Sequence, residues 1–483
     1  MPGGIATIAG NAGPNAPAAE APDASADSSA RTALLAVFAV AVVVVVDAAG
    51  KSFDTDAGWH IASGRWMLDE GRLPRRDPFS WSALGEPWRL NSWLFDLVVG
   101  ALDRLGGPGA VSTLMLAAVF AFPFAVFAVA RRIGATPAAG GLAAATAAYL
   151  AAPMRAERPQ VVSFLLFPMA WLLVTSALRG RQRSLVALGA LFVIWSNFHL
   201  TFSAGVLLVL LVAAADALAH RRIVRPVLVV AVVGTAGLVN PYGWGAYAAS
   251  LDVRTKSQGV EIQEWGHVDL SDFTQAMATL VLLAALMSVA RTGRWRRLDV
   301  VVPLVVFGAL AMDARRHLPF MLVLAAPEMA LGLSTNLPAT LRRYLHSRRR
   351  PLMIGLVAGT IVAAVSLLPP DLRPRSEFPV RGIAAIPTGC RLLNEYVHGG
   401  LILERRWPEV AVSMDGRNDM YGDARVIEQT QVLNAERDWD AWLDANHVDC
   451  LLAEPERAIV TALERAGWNV ATREQAGVLL LRP

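Results

Sequence analysis

Apolar runs of helix length, separated by short arginine-bearing loops, fill most of this chain. The first covers residues 32–46, and others centre on 108–130, 136–153, 160–178, 184–199, 200–218, 226–241, 273–290, 298–312, 318–334 and 352–369. A bilayer core takes about 20 apolar residues per helix, so the pattern predicts a mainly α, polytopic membrane bundle of about eleven spans. Pro123, Pro168, Pro303 and Pro327 lie inside these runs. A membrane bundle accommodates them when neighbouring helices or waters take up the freed carbonyls. Residues 1–30 are rich in Ala, Pro, Gly, Ser and Asp without an apolar period, which reads as a disordered cytoplasmic tail. That tail lacks a basic n-region, so the run after Arg31 fits a retained first helix better than a cleaved signal peptide.

Two segments break the pattern. Residues 52–103 form a polar, tryptophan-rich insert, SFDTDAGWHIASGRWMLDEGRLPRRDPFSWSALGEPWRLNSWLFDLVVGALD, far longer than a connection between two helices requires. Its stretch 93–105 is apolar but interrupted by Asp96 and Asp103, which suits a helix lying at the membrane interface rather than a span. From residue 371 onward, short apolar stretches (RLLNEY, LILERRW, VAVSMDG, CLLAEP, VLLLRP) alternate with helical patterns at 436–446 and 456–466, the signature of a small α/β domain. The expected organisation is a tail over 1–30, a transmembrane domain over 31–370 with a first outer loop at about 50–107, and a C-terminal domain over 371–483.

Composition agrees: 54% hydrophobic residues and a mean hydropathy of +0.43 exclude an ordinary soluble protein. The net charge of +4 and pI near 9.4 do not indicate nucleic acid, because the basic residues sit in short clusters between apolar runs. Those clusters set the topology. Seventeen arginines fall in five alternate short loops, whereas the intervening loops hold six Lys or Arg between them. The positive-inside bias then puts the N-terminus in the cytoplasm and both polar segments outside. Counting 93–105 as a span would reverse every later loop against that bias. Lysine occurs only at Lys51 and Lys256, and with the abundant alanine this suggests a bacterial plasma-membrane protein. Cys390 and Cys450 both lie in the C-terminal region, where they form either a disulfide, if it is extracytoplasmic, or two separate buried thiols.

The candidate chemistry starts at Asp54 and Asp56, just past the outer end of the first helix. A partly desolvated carboxylate there suits a general base for an acceptor hydroxyl, although either Asp equally suits the N-cap of the following GWHIASGRWML helix. A D-x-D pair is also compatible with a divalent metal on a nucleotide-sugar, but nucleotide-sugars are cytoplasmic and this pair is expected outside. No cofactor is otherwise indicated.

The order of acidic pair (FDTD), amphipathic helix (GWHIASGRWMLDEGRLP), polar turn (DPFSWSALGEPW) and aromatic interfacial helix ending in Gly-Gly (NSWLFDLVVGALDRLGG) resembles the first extracytoplasmic loop of GT-C superfamily glycosyltransferases. The similarity is to the bacterial branch near the protein O-mannosyltransferases and aminoarabinose transferases, and it covers roughly residues 33–180. The pair is Asp-Thr-Asp rather than adjacent Asp-Glu, and the turn lacks Lys-Pro-Pro. The resemblance implies an acidic residue acting as catalytic base at Asp54 or Asp56 and a donor sugar carried on a polyprenyl phosphate.

Such a donor needs guanidinium groups at the membrane surface. Arg155 and Arg158, with Glu157 between them, occupy the second outward loop, and Arg315, Arg316 and His317 follow the span that ends at Asp313. Snorkelling or local Arg–acid pairs would explain the same residues structurally. His60, Asn197, His199 and Glu264 are the candidate substrate contacts, with Asn240, Tyr242, Glu261, His267 and Asp269 near them at outer helix ends or in the loop EIQEWGHVD. Helix capping accounts for several of these equally well. The motif MDGRNDMYGD, with Asp415, Arg417, Asp419 and Tyr421, fits carbohydrate recognition or a structural Asp-Gly turn.

The expected function is sugar transfer from a polyprenyl-phosphate carrier to an envelope glycan, lipid or protein, amid membrane lipids and without nucleic acid. A lipid-linked sugar transporter or flippase would instead carry charges near span midpoints, and here most cluster at span ends. A non-catalytic scaffold of GT-C type is the third reading.

Overall fold

The computed structural model describes residues 24–49, 55–151, 158–252, 265–336, 378–436 and 438–483. Helices occupy every apolar run within these residues: α1 (Ala24–Ala49), α4 (Pro108–Arg132), α5 (Pro137–Leu150), α6 (Gln160–Leu178), α7 (Gln182–Phe198), α8 (Phe202–His220), α9 (Val224–Ala236), α11 (Phe273–Arg291), α12 (Leu298–Asp313) and α13 (Leu318–Asn336). Between them lie α2 (Thr55–Glu70), α3 (Trp93–Gly106) and α10 (Trp244–Asp252). Among the described residues six helices are long and apolar enough to cross a membrane, and α5, α7, α9 and α12 are shorter. The run at 352–369 lies outside the described residues. Helix α1 begins at Ala24, inside the segment expected to be a tail, because the alanine- and serine-rich residues ahead of the apolar run extend its helix upstream.

Local signals set the helix ends. Gly107, at φ 67°, turns the chain between α3 and α4, which opens with Pro108. Thr136 caps α5 ahead of Pro137, and Asp272 accepts a hydrogen bond from the Gln275 backbone to cap α11. Helix α13 is the centre of the bundle: 78% of its apolar window is buried, against 33–44% for the other five long helices. Phe320 of α13 meets Phe164 and Phe167 of α6 and Phe307 of α12 with ring centroids 4.9–6.5 Å apart.

Beyond the bundle, residues from Phe378 onward build a four-stranded sheet with helices α14 (Val380–Ala385), α15 (Gly399–Arg406), α16 (Asn418–Leu433, broken at Gly422), α17 (Trp439–Ala445) and α18 (Ala458–Arg465). The strands β1 (Leu392–Asn394), β2 (Cys450–Ala453), β3 (Asn469–Glu474) and β4 (Gly477–Leu481) lie in the order β1-β2-β4-β3, with β1 parallel to β2 and the other pairs antiparallel. Strand β2 is buried along its whole length and β4 up to its last residue, which explains their unbroken apolar sequence. The stretch LILERRW, expected as a strand-like element, is instead helix α15, and VAVSMDG contributes only an isolated bridge from Val412 to Ser80. Packing decides the first case, since α15 lies against α2 with Gly400 at the point of closest approach to Gly58. Cys390 and Cys450 are joined by a disulfide, with Cα atoms 6.2 Å apart.

The insert and the C-terminal sheet share their cores. Phe79, Trp88, Leu90 and Met67 are buried among Leu392, Ile402, Val412 and Leu479, while Ala83 and Trp81 pack with the residues around Leu393 and Leu451. Helices α2 and α3 cross in direct backbone contact at Gly64 and Gly100, where any Cβ would overlap the opposite helix. Arg65 of α2 ties Asp103 of α3 to the Glu404 carbonyl of α15.

Candidate functional site

Asp56 lies in the first turn of α2, where the helix N-terminus favours a carboxylate. Arg158, directly ahead of α6, reaches it with Nη2 3.0 Å from Oδ2, and the two side chains retain 33% and 17% exposure. A candidate base and a candidate phosphate ligand, about a hundred residues apart in sequence, thus meet at one accessible point. Asp54, Arg155 and Glu264 lie outside the described residues, as do Glu157 and Glu261.

One turn further along α2, His60 is buried, stacked on Trp59 and set edge-on to Phe95. Its Nδ1 is 2.7 Å from Oδ1 of Asp96, which also accepts from Ser92 Oγ at 2.9 Å. Burial pushes the Asp96 carboxyl above the usual carboxylate value, and the His60 ring works in the opposite direction. Asp96 is one of the two charges that interrupt the interfacial helix. Its place in the sequence reflects this buried contact, not exposure to headgroups.

His199, between α7 and α8, lies near Arg316, the His60 ring and Arg158. Its Nδ1 accepts from the Thr201 backbone N–H at 3.3 Å, while the Thr201 hydroxyl, 2.8 Å away, donates to Ser163, so the ring proton sits on Nε2. Burial, then Arg316, the His60 ring and Arg158, push the ring down to about 3. His199 is therefore a neutral donor at physiological pH. The neutral form favours the fold, so this stability is fully present above pH 6.5 and is lost as pH falls towards 3. His398, pushed down to about 4 by burial, acts in the same direction. In thermal unfolding of the purified protein, His199→Gln should reduce the loss of melting temperature across that pH window; an unchanged acid limb would refute the assignment.

Arg316, in the turn Arg315–His317, lies over the Trp265 ring with its guanidinium carbon 4.0 Å from the centroid. The segment after Trp265 is pinned there by backbone bonds from Arg315 to Gly266 and from Val268 to Met312, with His267 3.9 Å from Asp313. The His317 ring lies 6.3 Å from Phe320.

Other sequence candidates have structural partners. Asn197 is buried; its Nδ2 donates to the Val193 and Val239 carbonyls and its Oδ1 accepts from Trp93 Nε1. Its amide is engaged on both sides, so it fastens α3, α7 and the end of α9 together rather than presenting a group to substrate. Asn240 closes a turn onto Tyr242, and Asp269 one onto Ser271.

The third wall comes from the C-terminal region. Gly416 approaches the Asp56 carboxylate so closely that a Cβ would overlap its oxygens. Tyr396 feels Asp56 and Arg158 and bonds to Asn418, whose Oδ1 is buried without a hydrogen-bond partner. Burial, then the charges of Asp56 and Asp415, hold the Tyr396 hydroxyl above its usual value, so it stays protonated. Behind Gly416, Arg417 is fully buried, paired through Nε and Nη2 with the two oxygens of Asp415 at 2.7 and 2.6 Å, and through Nη1 with Asp77 at 2.6 Å. Tyr421 accepts from Arg417 and donates to Asp415. The Arg417 guanidinium also lies over Trp88, 4.6 Å from its centroid. The MDGRNDMYGD motif is thus a structural knot that sets Gly416 against Asp56 and bonds Asn418 to Tyr396. Sequence reasoning singled out the motif without Gly416 or Asn418, and nothing in the pattern around Tyr396 marked it.

The helical bundle, the helices of the first loop and the C-terminal sheet together make a multi-pass membrane fold that solved structures share. No protein-family model and no curated protein matches the sequence. Among solved structures, the chain is similar to the archaeal oligosaccharyltransferase AglB from Archaeoglobus fulgidus in complex with an inhibitory peptide and a dolichol-phosphate, with a TM-score of 0.60 and 10% identity over 87% of this chain and 69% of that one. It is also similar to ArnT from Cupriavidus metallidurans bound to undecaprenyl phosphate, with a TM-score of 0.56 and 14% identity over 92% of this chain and 97% of that one.

Proposed function

We propose that this protein transfers a sugar from a polyprenyl-phosphate carrier to a hydroxyl of an envelope glycan, lipid or protein at the outer face of a bacterial plasma membrane. The observation that carries this reading is the Asp56–Arg158 ion pair, walled by His199, Tyr396 and Gly416, on a fold shared with two proteins solved in complex with lipid phosphates. In the absence of donor the pair neutralises itself. A donor phosphate recruits Arg158 and releases the Asp56 carboxylate. The acceptor oxygen then attacks the anomeric carbon, its proton passes to Asp56 or Asp54, and the sugar–phosphate bond breaks with both electrons going to the leaving polyprenyl phosphate. Arg158, Arg316 and the neutral His199 Nε2–H are the groups that hold the phosphate charge; Arg155 and His317 are candidates beside them, and His60 and Glu264 for the sugar.

Asp54→Asn and Asp56→Asn, made separately in membranes with confirmed insertion, test the assignment with a radiolabelled polyprenyl-phosphate sugar. At least one should lose about 10²–10⁴-fold of its transfer rate, and undiminished transfer in both would remove the base. The outward placement of residues 371–483 rests on arginine bias and on the disulfide, which forms in oxidising compartments. The chain holds two cysteines, both in that bond. A membrane-impermeant maleimide should therefore label intact cells only after reduction, and labelling that requires lysis would reverse the topology.

A further inference from the structure

A second charged site lies at the opposite end of the bundle. Helix α6 starts beside Arg158 and ends beside Arg179, and its 19 residues carry the chain about 28 Å away from the Asp56 cleft. There the ends of α4, α6 and α8, together with the turn into α12, enclose a cavity of about 400 Å³. Six arginines line it against two aspartates. Both acids are already engaged, Asp299 by Arg297 and Asp216 by His220, and Arg294 is paired with Glu328 of α13. Arg132, Arg179 and Arg222 have neither a hydrogen bond nor an ion pair among the described residues, and Arg132 also feels the like charges of Arg179 and Arg181. Arg132 is half-buried, and Arg179 and Arg222 are exposed at the rim. These three converge on a concave site whose floor is Trp171, Val212 and Val300.

The floor continues into the bundle. A narrow, mostly apolar groove of about 20 Å³ shares Ile133, Trp171, Asp299 and Val300 with the cavity and runs on past Val129 and Leu304 to Leu324, flanked by the helix-interior prolines Pro303 and Pro327 and by Glu328, which Arg294 pairs. A basic mouth leading into a mostly apolar slot is complementary to a phosphate attached to a hydrocarbon chain, and basic pockets between membrane helices bind such headgroups. We propose that this cavity is a binding site for an anionic membrane lipid, with its phosphate on Arg132, Arg179 and Arg222 and a chain entering the slot between α4 and α12. The site is separate from the Asp56 cleft and does not depend on the transfer reaction.

Delipidated protein, titrated with phosphatidylglycerol, phosphatidylcholine, undecaprenyl phosphate or inorganic phosphate and read by native mass spectrometry, tests this. Phosphatidylglycerol should bind at least tenfold more tightly than phosphatidylcholine. The triple variant Arg132→Gln/Arg179→Gln/Arg222→Gln should lose that preference, while Arg183→Gln/Arg221→Gln/Arg291→Gln, which removes equal charge from positions outside the cavity, should keep it. The exposed Arg179→Gln alone is the milder variant and should weaken binding in the same direction. Equal binding of phosphatidylcholine, equal losses in the two triple variants, or full competition by inorganic phosphate would each overturn the lipid site. Selective retention of undecaprenyl phosphate over phosphatidylglycerol, lost in the cavity variant, would identify the lipid as the carrier itself.

Discussion

Arg417→Met should destabilise the unit formed by the first loop and the C-terminal region by about 3–5 kcal/mol, the usual consequence of removing one partner from a buried ion cluster. Arg417, Asp77 and Asp415 all have side chains with 0% exposure, so the substitution strands two carboxylates with no route to water. Asp77 also accepts from the backbones of Phe79 and Ser80 and so shapes the polar turn itself, which means the loss spreads beyond one contact. Thermal unfolding should show the decrease, and limited proteolysis should open the chain around residues 77–90. Adding Asp77→Asn and Asp415→Asn to Arg417→Met should recover part of the stability, because neutral amides are less costly to bury. A melting temperature within error of wild type for the single variant would mean that the cluster carries little of the interface.

Gly416→Ala should reduce sugar transfer by about 10²-fold, the scale expected when a reacting group is displaced by an ångström. The added Cβ would fall on the Asp56 carboxylate, so Asp56 must leave Arg158 or the C-terminal wall must retreat. Backbone conformation is not the issue, as Gly416 is absent from the positive-φ glycines. Gly234→Ala, at a glycine whose added Cβ meets nothing within 4 Å, should leave transfer unchanged. Wild-type transfer by the Gly416 variant would show that Asp56 does not need its observed position.

The helices and the strands β1, β2 and β4 were legible because apolar spacing is a local property, visible within a dozen residues. The Asp56–Arg158 meeting could be approached by arginine bias, which placed both at the same membrane face. The buried His60 contact of Asp96 was not legible, since a charge inside an apolar helix looks the same in sequence whether it meets headgroups or a buried histidine. The contacts of Asn197 with Trp93, Val193 and Val239 were equally hidden, since a polar residue at a helix end fits a ligand or a cap alike. Tyr396 and Gly416 were not legible at all. Their function comes from docking a distant segment onto the first loop, and no spacing rule spans that distance.

That docking also orders the protein's birth. Asp77 leaves the ribosome 340 residues before Arg417. At about 5–20 residues per second, the first loop waits roughly 15–70 s for the segment that completes it. Throughout that interval Phe79, Trp81 and Trp88 lack their partners and Asp77 lacks its counter-ion, so the nascent chain exposes an adhesive aromatic surface beside the membrane. A site built from the first loop, Arg158 and the segment around Gly416 is incomplete until that last segment has been made, so under the proposed function a chain truncated ahead of it should transfer no sugar.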